Sequence, residues 1–151
     1  MKPRLLKAYM RTAETFAELS HARRLHVGAI VVKDDRIISI GYNGMPAGWD
    51  NNCEDEITDY VISPGVPAKE EIRLKTRPEV LHAESNAISK LARSSESGDG
   101  ATMFITHAPC MDCSKLIYQS GIRRVFYSET YRSNDGIEFL EKCGIEVQQV
   151  K

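Results

Sequence analysis

Two short motifs constrain the fold of this chain more than any other feature: His82-Ala-Glu84 and, later, Pro109-Cys110-Met-Asp-Cys113. Cysteine and histidine side chains at such spacings are typical zinc ligands. Cys110 and Cys113 lie three residues apart, so on a helix both sulfurs share one face. His82 and Glu84 lie two residues apart and reach one spot together only at a helix terminus. The pattern therefore predicts two helix N-termini that point at the same place.

The composition of this ligand set indicates a catalytic metal. One histidine and two cysteines leave the fourth position of a tetrahedral zinc ion open, whereas structural zinc sites are closed by a fourth protein ligand. Helix N-termini favour thiolates. Two thiolates and a neutral imidazole balance the charge of Zn²⁺, and a water in the open position becomes a nucleophile if a base takes its proton. Glu84 is the candidate for that base.

Two other interpretations of the same residues remain open. The first is a structural zinc site with a fourth ligand from Cys53, His107 or Cys143. The second is a redox-active pair formed by Cys110 and Cys113, although such a pair does not need the His-Ala-Glu motif.

The composition of the chain limits the classes of protein to which it can belong. A chain of 151 residues fits one domain, here 1–151. Its 20 Lys and Arg residues against 21 Asp and Glu residues give a net charge of −1, which argues against a nucleic-acid partner held by bulk positive charge. Four cysteines are too few for a disulfide scaffold. With no apolar leader or membrane-spanning run, we expect a cytoplasmic protein without a membrane partner.

Hydrophobic periodicity predicts an α/β fold. The predicted order is a helix over 3–20, a hairpin of strands over 27–33 and 36–42, a short acidic helix over 53–60, an exposed insertion over 63–80, a helix over 82–93, a strand over 102–106, a helix over 109–119, a strand over 122–128, a helix over 135–143 and a strand over 145–150. A hairpin followed by crossover units predicts three layers, with a mixed five-stranded sheet between helices on both faces.

The two motifs resemble those of zinc-dependent nucleoside and nucleotide deaminases. The segments Gly41-Tyr-Asn-Gly44, His82-Ala-Glu-Ser-Asn-Ala-Ile88 and Glu129-Thr-Tyr131 are similar to the deoxycytidylate (dCMP) branch. The resemblance implies a cytidine-deaminase-like fold, one Zn²⁺ per chain, and hydrolysis of dCMP to dUMP and ammonia, which supplies a dTMP precursor. It makes Glu84 the proton carrier.

The same resemblance places Asn43 at the base or sugar of the substrate. Asn86, one turn into the helix that begins at His82, is a further candidate for the site, and the backbone of Ala108 and Pro109 is a candidate for holding the base carbonyl. The alternatives are a turn asparagine before Gly44 and an amide that bonds a backbone carbonyl. For the phosphate, the candidates are Tyr131 and Arg24, which are equally compatible with solvated surface positions.

The dCMP branch also implies regulation and assembly. The resemblance implies activation by dCTP and inhibition by dTTP, with Mg²⁺ on the triphosphate, near Gly41, Tyr42, Gly44 and Asp50. The acidic residues Asp50, Glu54 and Asp55 then lie near this magnesium or form a solvated face. Family enzymes are commonly homohexamers. The alternative functions are a deaminase that edits tRNA or single-stranded nucleic acid, and a zinc-stabilised module that senses nucleotides.

Overall fold

A mixed five-stranded sheet organises the computed structural model, which describes all 151 residues. The chain forms four helices and seven strands: α1 (Pro3–Ala17), β1 (Gly28–Lys33), β2 (Arg36–Tyr42), β3 (Glu54–Val61), β4 (Lys69–Thr76), α2 (Ala83–Ala92), β5 (Thr102–His107), α3 (Met111–Gln119), β6 (Arg124–Glu129), α4 (Asp135–Lys142) and β7 (Glu146–Gln149). None of these helices is both long enough and apolar enough to cross a lipid bilayer.

The central sheet has the strand order β2-β1-β5-β6-β7. β1 pairs antiparallel with both β2 and β5, whereas β5, β6 and β7 run parallel. The β1–β2 hairpin turns at Asp34 and Asp35, whose φ angles of 51° and 56° suit the tight turns that match strand twist. The predicted mixed sheet, with an antiparallel hairpin followed by parallel strands, is confirmed.

Helices cover both faces of this sheet, as the periodicity predicts. On one face, α1 packs Met10 and Ala13 against a layer that includes Phe104 and Phe126, whose rings stack with centroids 5.1 Å apart. The other face packs against α2, α3 and α4, and its core is larger. Because α2 and α3 both lie on this second face, their N-termini can meet at one edge of the sheet.

The segment between β2 and α2 departs from the prediction. The prediction of a short helix over 53–60 is wrong, because this segment forms β3. The predicted exposed insertion over 63–80 contains β4, which pairs with β3 in a separate two-stranded sheet. The acidic residues suggested a helix, but Ile57, Thr58, Tyr60 and Val61 are β-branched or aromatic and favour a strand. The hairpin also sets opposite charges close together, with Arg73 Nε 2.7 Å from Asp59 Oδ2.

Gly41 lets β2 approach α2 closely. A β-carbon at this position would overlap the carbonyl oxygen of Ala83 in the first turn of α2. We expect Gly41→Ala to lower the free energy of unfolding by about 1–3 kcal/mol, because α2 must move away from the sheet. Gly44→Ala is the matched control, since its added β-carbon meets no atom within 4 Å. Urea denaturation of the two variants measures the difference, and equal stabilities would contradict the packing argument.

Candidate active site

The predicted metal ligands lie at the N-termini of two helices. His82 is the N-cap residue of α2, and Cys110 is the N-cap residue of α3. Cys113 is the third residue of α3, so both sulfurs lie in its first turn. Pro109 precedes the cap rather than forming the first helical residue. In these positions the free backbone N–H groups of each helix face the site and favour negative charge there.

The distances between the ligand atoms fit a zinc ion. His82 Nδ1 lies 3.7 Å from Cys110 Sγ and 3.3 Å from Cys113 Sγ, and the three atoms lie within 4.8 Å of one another. Tetrahedral zinc with ordinary bond lengths places its nitrogen and sulfur ligands about 3.6 Å apart. Cys53, His107 and Cys143, the candidates for a fourth ligand, lie outside this group. Two sulfurs and one imidazole nitrogen therefore form a group that could hold a zinc ion through three ligands.

The three ligand groups share protons because they lie so close together. Hydrogen bonds with the Cys113 thiol and with His82 lower the pKa of Cys110 to about 4. The same hydrogen bond raises the pKa of Cys113, and the bond with Cys110 raises the pKa of His82. These hydrogen bonds thus favour the thiolate form of Cys110 and the protonated forms of Cys113 and His82. Since metal binding displaces ligand protons, a bound Zn²⁺ takes the place of these shared protons.

Glu84 is buried beside the ligands. It is the second residue of α2, only 5% exposed, and its carboxyl group interacts with the Cys113 thiol. Burial raises the pKa of Glu84, because the charged carboxylate loses its hydration. A carboxyl group with a raised pKa exchanges protons more readily near neutral pH, which is what a general acid–base group requires.

A cavity of about 440 Å³ opens at His82. Of the residues predicted to contact substrate, Arg24, Asn43 and Tyr131 line it. Its volume lies in the range of small-molecule sites. The cavity is thus bounded by the predicted metal ligand His82 at one point and by Arg24 and Tyr131 at others.

The side chain of Asn43 forms two hydrogen bonds with the backbone of the cavity wall. Its Oδ1 accepts a hydrogen bond from the Val27 N–H at 2.9 Å, and its Nδ2 donates to the Leu25 carbonyl at 2.8 Å. Its φ angle is not positive, so it does not have the left-handed conformation of a turn asparagine. The side chain therefore orders the chain between α1 and β1.

Three other predicted substrate positions do not line this cavity. Asn86 donates from Nδ2 to the Tyr42 carbonyl at 2.8 Å, the backbone contact considered as its alternative. Ala108 and Pro109 are buried between β5 and α3, and the Ala108 N–H donates to the Glu129 carbonyl at 2.9 Å. These residues support the walls of the site.

A second cavity of about 510 Å³ lies beside the Gly-Tyr-Asn-Gly segment. Tyr42 and Gly44 line it, as does Asn86. Gly41 lies instead in β2, where it packs against the first turn of α2. Asp50 is exposed and accepts a hydrogen bond from the Asn52 N–H. The four residues predicted to bind an effector thus divide between this cavity and its surroundings.

The sequence patterns did not identify two residues that line the first cavity, Glu54 and Thr76. Glu54 was expected near a magnesium ion or on a solvated face, but it is 1% exposed and lines the first cavity together with Thr76. Both belong to the β3–β4 hairpin, whose existence the sequence analysis missed. The β-branched and aromatic residues Ile57, Thr58, Tyr60 and Val61 were the available signal.

Comparisons with known proteins agree with this geometry. The family model "Cytidine and deoxycytidylate deaminase zinc-binding region" matches residues 3–129. Deoxycytidylate deaminase of Enterobacteria phage T4 is 38% identical over 156 residues, covering 82% of this chain and 78% of the relative. ComE operon protein 2 of Bacillus subtilis is 36% identical over 148 residues, covering 95% of this chain and 69% of the relative.

A solved structure extends the likeness to the whole chain. The dCMP deaminase of cyanophage S-TIM5, in complex with dCMP and dUMP, is similar with a TM-score of 0.84 and 45% identity over 99% of both chains. The family match includes all three metal ligands and Glu84, which the fold brings together at two helix N-termini. On this evidence the chain belongs to the cytidine and deoxycytidylate deaminase family.

Proposed function

We propose that this protein converts dCMP and water into dUMP and ammonia, and thereby supplies a precursor of dTMP. One observation carries the proposal: His82, which belongs to a group of three residues that could hold a zinc ion close to the buried Glu84, lines a cavity that also carries arginine side chains. A nucleoside monophosphate matches this arrangement, with its base toward His82 and its phosphate toward Arg24 and Arg132, which both line the cavity. The dCMP and dUMP complex of the cyanophage relative supports the same substrate.

The residues of this chain would divide the chemistry as follows. A Zn²⁺ ion bound here lowers the pKa of a water molecule and makes it a nucleophile near neutral pH. Glu84 would accept a proton from the attacking water and deliver it to N3 of cytosine. It would then take the remaining proton from the new hydroxyl group on C4 and deliver it to the amine that leaves from C4. The water oxygen remains on C4 and ammonia departs, so the atoms of dCMP and water are all accounted for in dUMP and ammonia.

The proposal assigns substrate contacts to the residues expected from the sequence. Arg24 and Tyr131 face the phosphate, and their positions on the cavity wall support this role. Asn43 lies near the sugar or base, with the backbone of Ala108 and Pro109 behind the base. Asn86 acts indirectly, because its amide group holds the Tyr42 carbonyl.

A substrate panel tests the proposed function. The zinc-loaded protein is assayed for ammonia release from dCMP, dCTP, deoxycytidine, CMP and a tRNA, with the zinc content measured in the same sample. We expect the highest kcat/KM for dCMP. Equal rates on deoxycytidine would contradict a monophosphate substrate, and preferred action on tRNA, with a steep dependence on salt, would favour the editing alternative.

The second cavity is the proposed effector site. We propose that dCTP activates and dTTP inhibits from this cavity, with Mg²⁺ on the triphosphate near Asp50, the neighbour in sequence of a lining residue. The cationic side chains Lys90 and Arg93 line the cavity together with His21, and they supply the charge that a triphosphate requires.

The effector proposal predicts the behaviour of Arg93→Ala. The variant should need about tenfold more dCTP for half-maximal activation, because one cation facing the triphosphate is lost. Its rate on dCMP without effector should stay unchanged, since Arg93 does not line the first cavity. Arg36→Ala, which removes an exposed arginine paired with Glu96, is the control. An unaltered dCTP response in Arg93→Ala would contradict the site.

The proposal also covers the oligomeric state and the cellular location of the protein. We propose a homo-oligomer, with six copies by resemblance, in the cytoplasm. Exposed apolar side chains on the β3–β4 sheet and its turn, among them Tyr60, Ile62 and Ile72, support contacts between copies. Four free cysteines, two of which must be reduced to bind zinc, support a reducing compartment.

A further inference from the structure

The segment between α1 and β1 forms one wall of the first cavity, yet residues 21–27 form neither helix nor strand. Side chains from elsewhere hold its backbone. Asn43 binds Leu25 and Val27, as described, and Ser20 Oγ donates to the Asn43 carbonyl at 2.8 Å. The position of Arg24 therefore depends on a few specific hydrogen bonds.

The side chain of Glu54 accepts hydrogen bonds from the backbone at Arg23 and Arg24. Its Oε2 accepts from the backbone N–H groups of Arg23 at 2.9 Å and Arg24 at 2.7 Å, and its Oε1 accepts from Arg23 N–H at 3.1 Å. The carboxylate is only 1% exposed. A buried carboxylate is costly unless it is fully hydrogen-bonded, so these contacts fix the backbone on both sides of the Arg23–Arg24 peptide.

The same end of the hairpin also holds the Arg24 side chain. Arg24 Nη1 donates to Thr76 Oγ1 at 3.4 Å, and Thr76 is the residue paired with Glu54 across β3 and β4. All three residues line the cavity that opens at His82. One pair of hairpin residues thus binds both the backbone and the guanidinium group of a single arginine.

We infer that Glu54 is a positioning residue: it holds Arg24 at the cavity wall and thereby sets the preference for a nucleotide monophosphate over the free nucleoside. This inference rests on the proposed function. In this role Glu54 acts on the substrate through Arg24, because it fixes the backbone from which the phosphate-binding side chain extends.

Glu54→Gln tests this role because it keeps the size of the side chain. The amide can accept through only one atom, and its NH₂ group then faces a backbone N–H donor. In the zinc-loaded enzyme we expect KM for dCMP to rise by about tenfold, with kcat within about twofold. For deoxycytidine, which has no phosphate, kcat/KM should change by less than about twofold.

Glu56→Gln is the matched control. Glu56 lies two residues along β3 on the same face, is exposed, and binds the Arg23 side chain rather than the Arg24 backbone. It should keep the wild-type ratio of kcat/KM for dCMP to that for deoxycytidine. Arg24→Ala should lower this ratio, and adding Glu54→Gln to it should lower the ratio no further.

The outcomes separate this inference from the proposed function. A wild-type enzyme that does not prefer dCMP over deoxycytidine contradicts the proposed function itself. A wild-type preference that Glu54→Gln leaves intact, or equal losses on both substrates, overturns the positioning role and leaves a structural one. If Glu54→Gln does not fold, the same ratio measured for Glu54→Asp, which keeps the charge but shortens the reach, decides in its place.

Discussion

Replacement of Glu84 by glutamine is expected to lower kcat for dCMP by about 10²- to 10⁴-fold, the usual contribution of a general acid–base group. Glutamine has nearly the same shape but cannot carry a proton between water and substrate. The variant should keep its zinc, because Glu84 lies outside the ligand group. Steady-state kinetics and zinc analysis of the same preparation measure both effects.

Asp112→Asn is the control for that experiment. Asp112 is the second residue of α3, as Glu84 is of α2, but its side chain is 89% exposed. A carboxylate at the same helical position without burial should be replaceable with less than about a twofold change in kcat. A Glu84→Gln variant with near-normal turnover would remove Glu84 from the proton transfers.

Cys113→Ser should abolish zinc retention. Cys113 is buried and its sulfur is the ligand atom closest to His82 Nδ1. Substitution of residues that hydrogen-bond to metal ligands lowers metal affinity or activity by about 10- to 100-fold. Loss of a ligand itself should therefore lower the zinc affinity by at least about 100-fold. Zinc content after gel filtration and kcat/KM for dCMP should fall together.

Cys143→Ser provides the comparison. This cysteine is also free and lies outside the ligand group, so its variant should keep zinc and activity. If Cys113→Ser bound zinc as tightly as Cys143→Ser, the assignment of Cys113 as a ligand would be wrong.

The central sheet and the metal cluster were predictable from local patterns. The spacing of Cys110 and Cys113 after Pro109 favours a helix start, and the two strands around Asp34 and Asp35 favour a tight turn. Such signals are short-range. These short-range signals were enough to predict the helices that carry the site and the mixture of antiparallel and parallel strands in the sheet.

The β3–β4 hairpin and the role of Glu54 were not predictable in the same way. The strands are rich in charge, so local composition suggested a helix and an insertion. The partners of the Glu54 carboxylate, the N–H groups of Arg23 and Arg24, lie 31 and 30 residues away in the sequence. Only tertiary pairing shows that this acidic residue is buried.

X-ray absorption at the zinc edge would show whether the metal centre keeps an open coordination position. For protein purified without chelators, we expect one zinc per chain, with two sulfur ligands, one imidazole nitrogen and one oxygen from water. Absence of zinc, or a fourth position filled by another sulfur or imidazole of the protein, would contradict a catalytic centre at His82, Cys110 and Cys113.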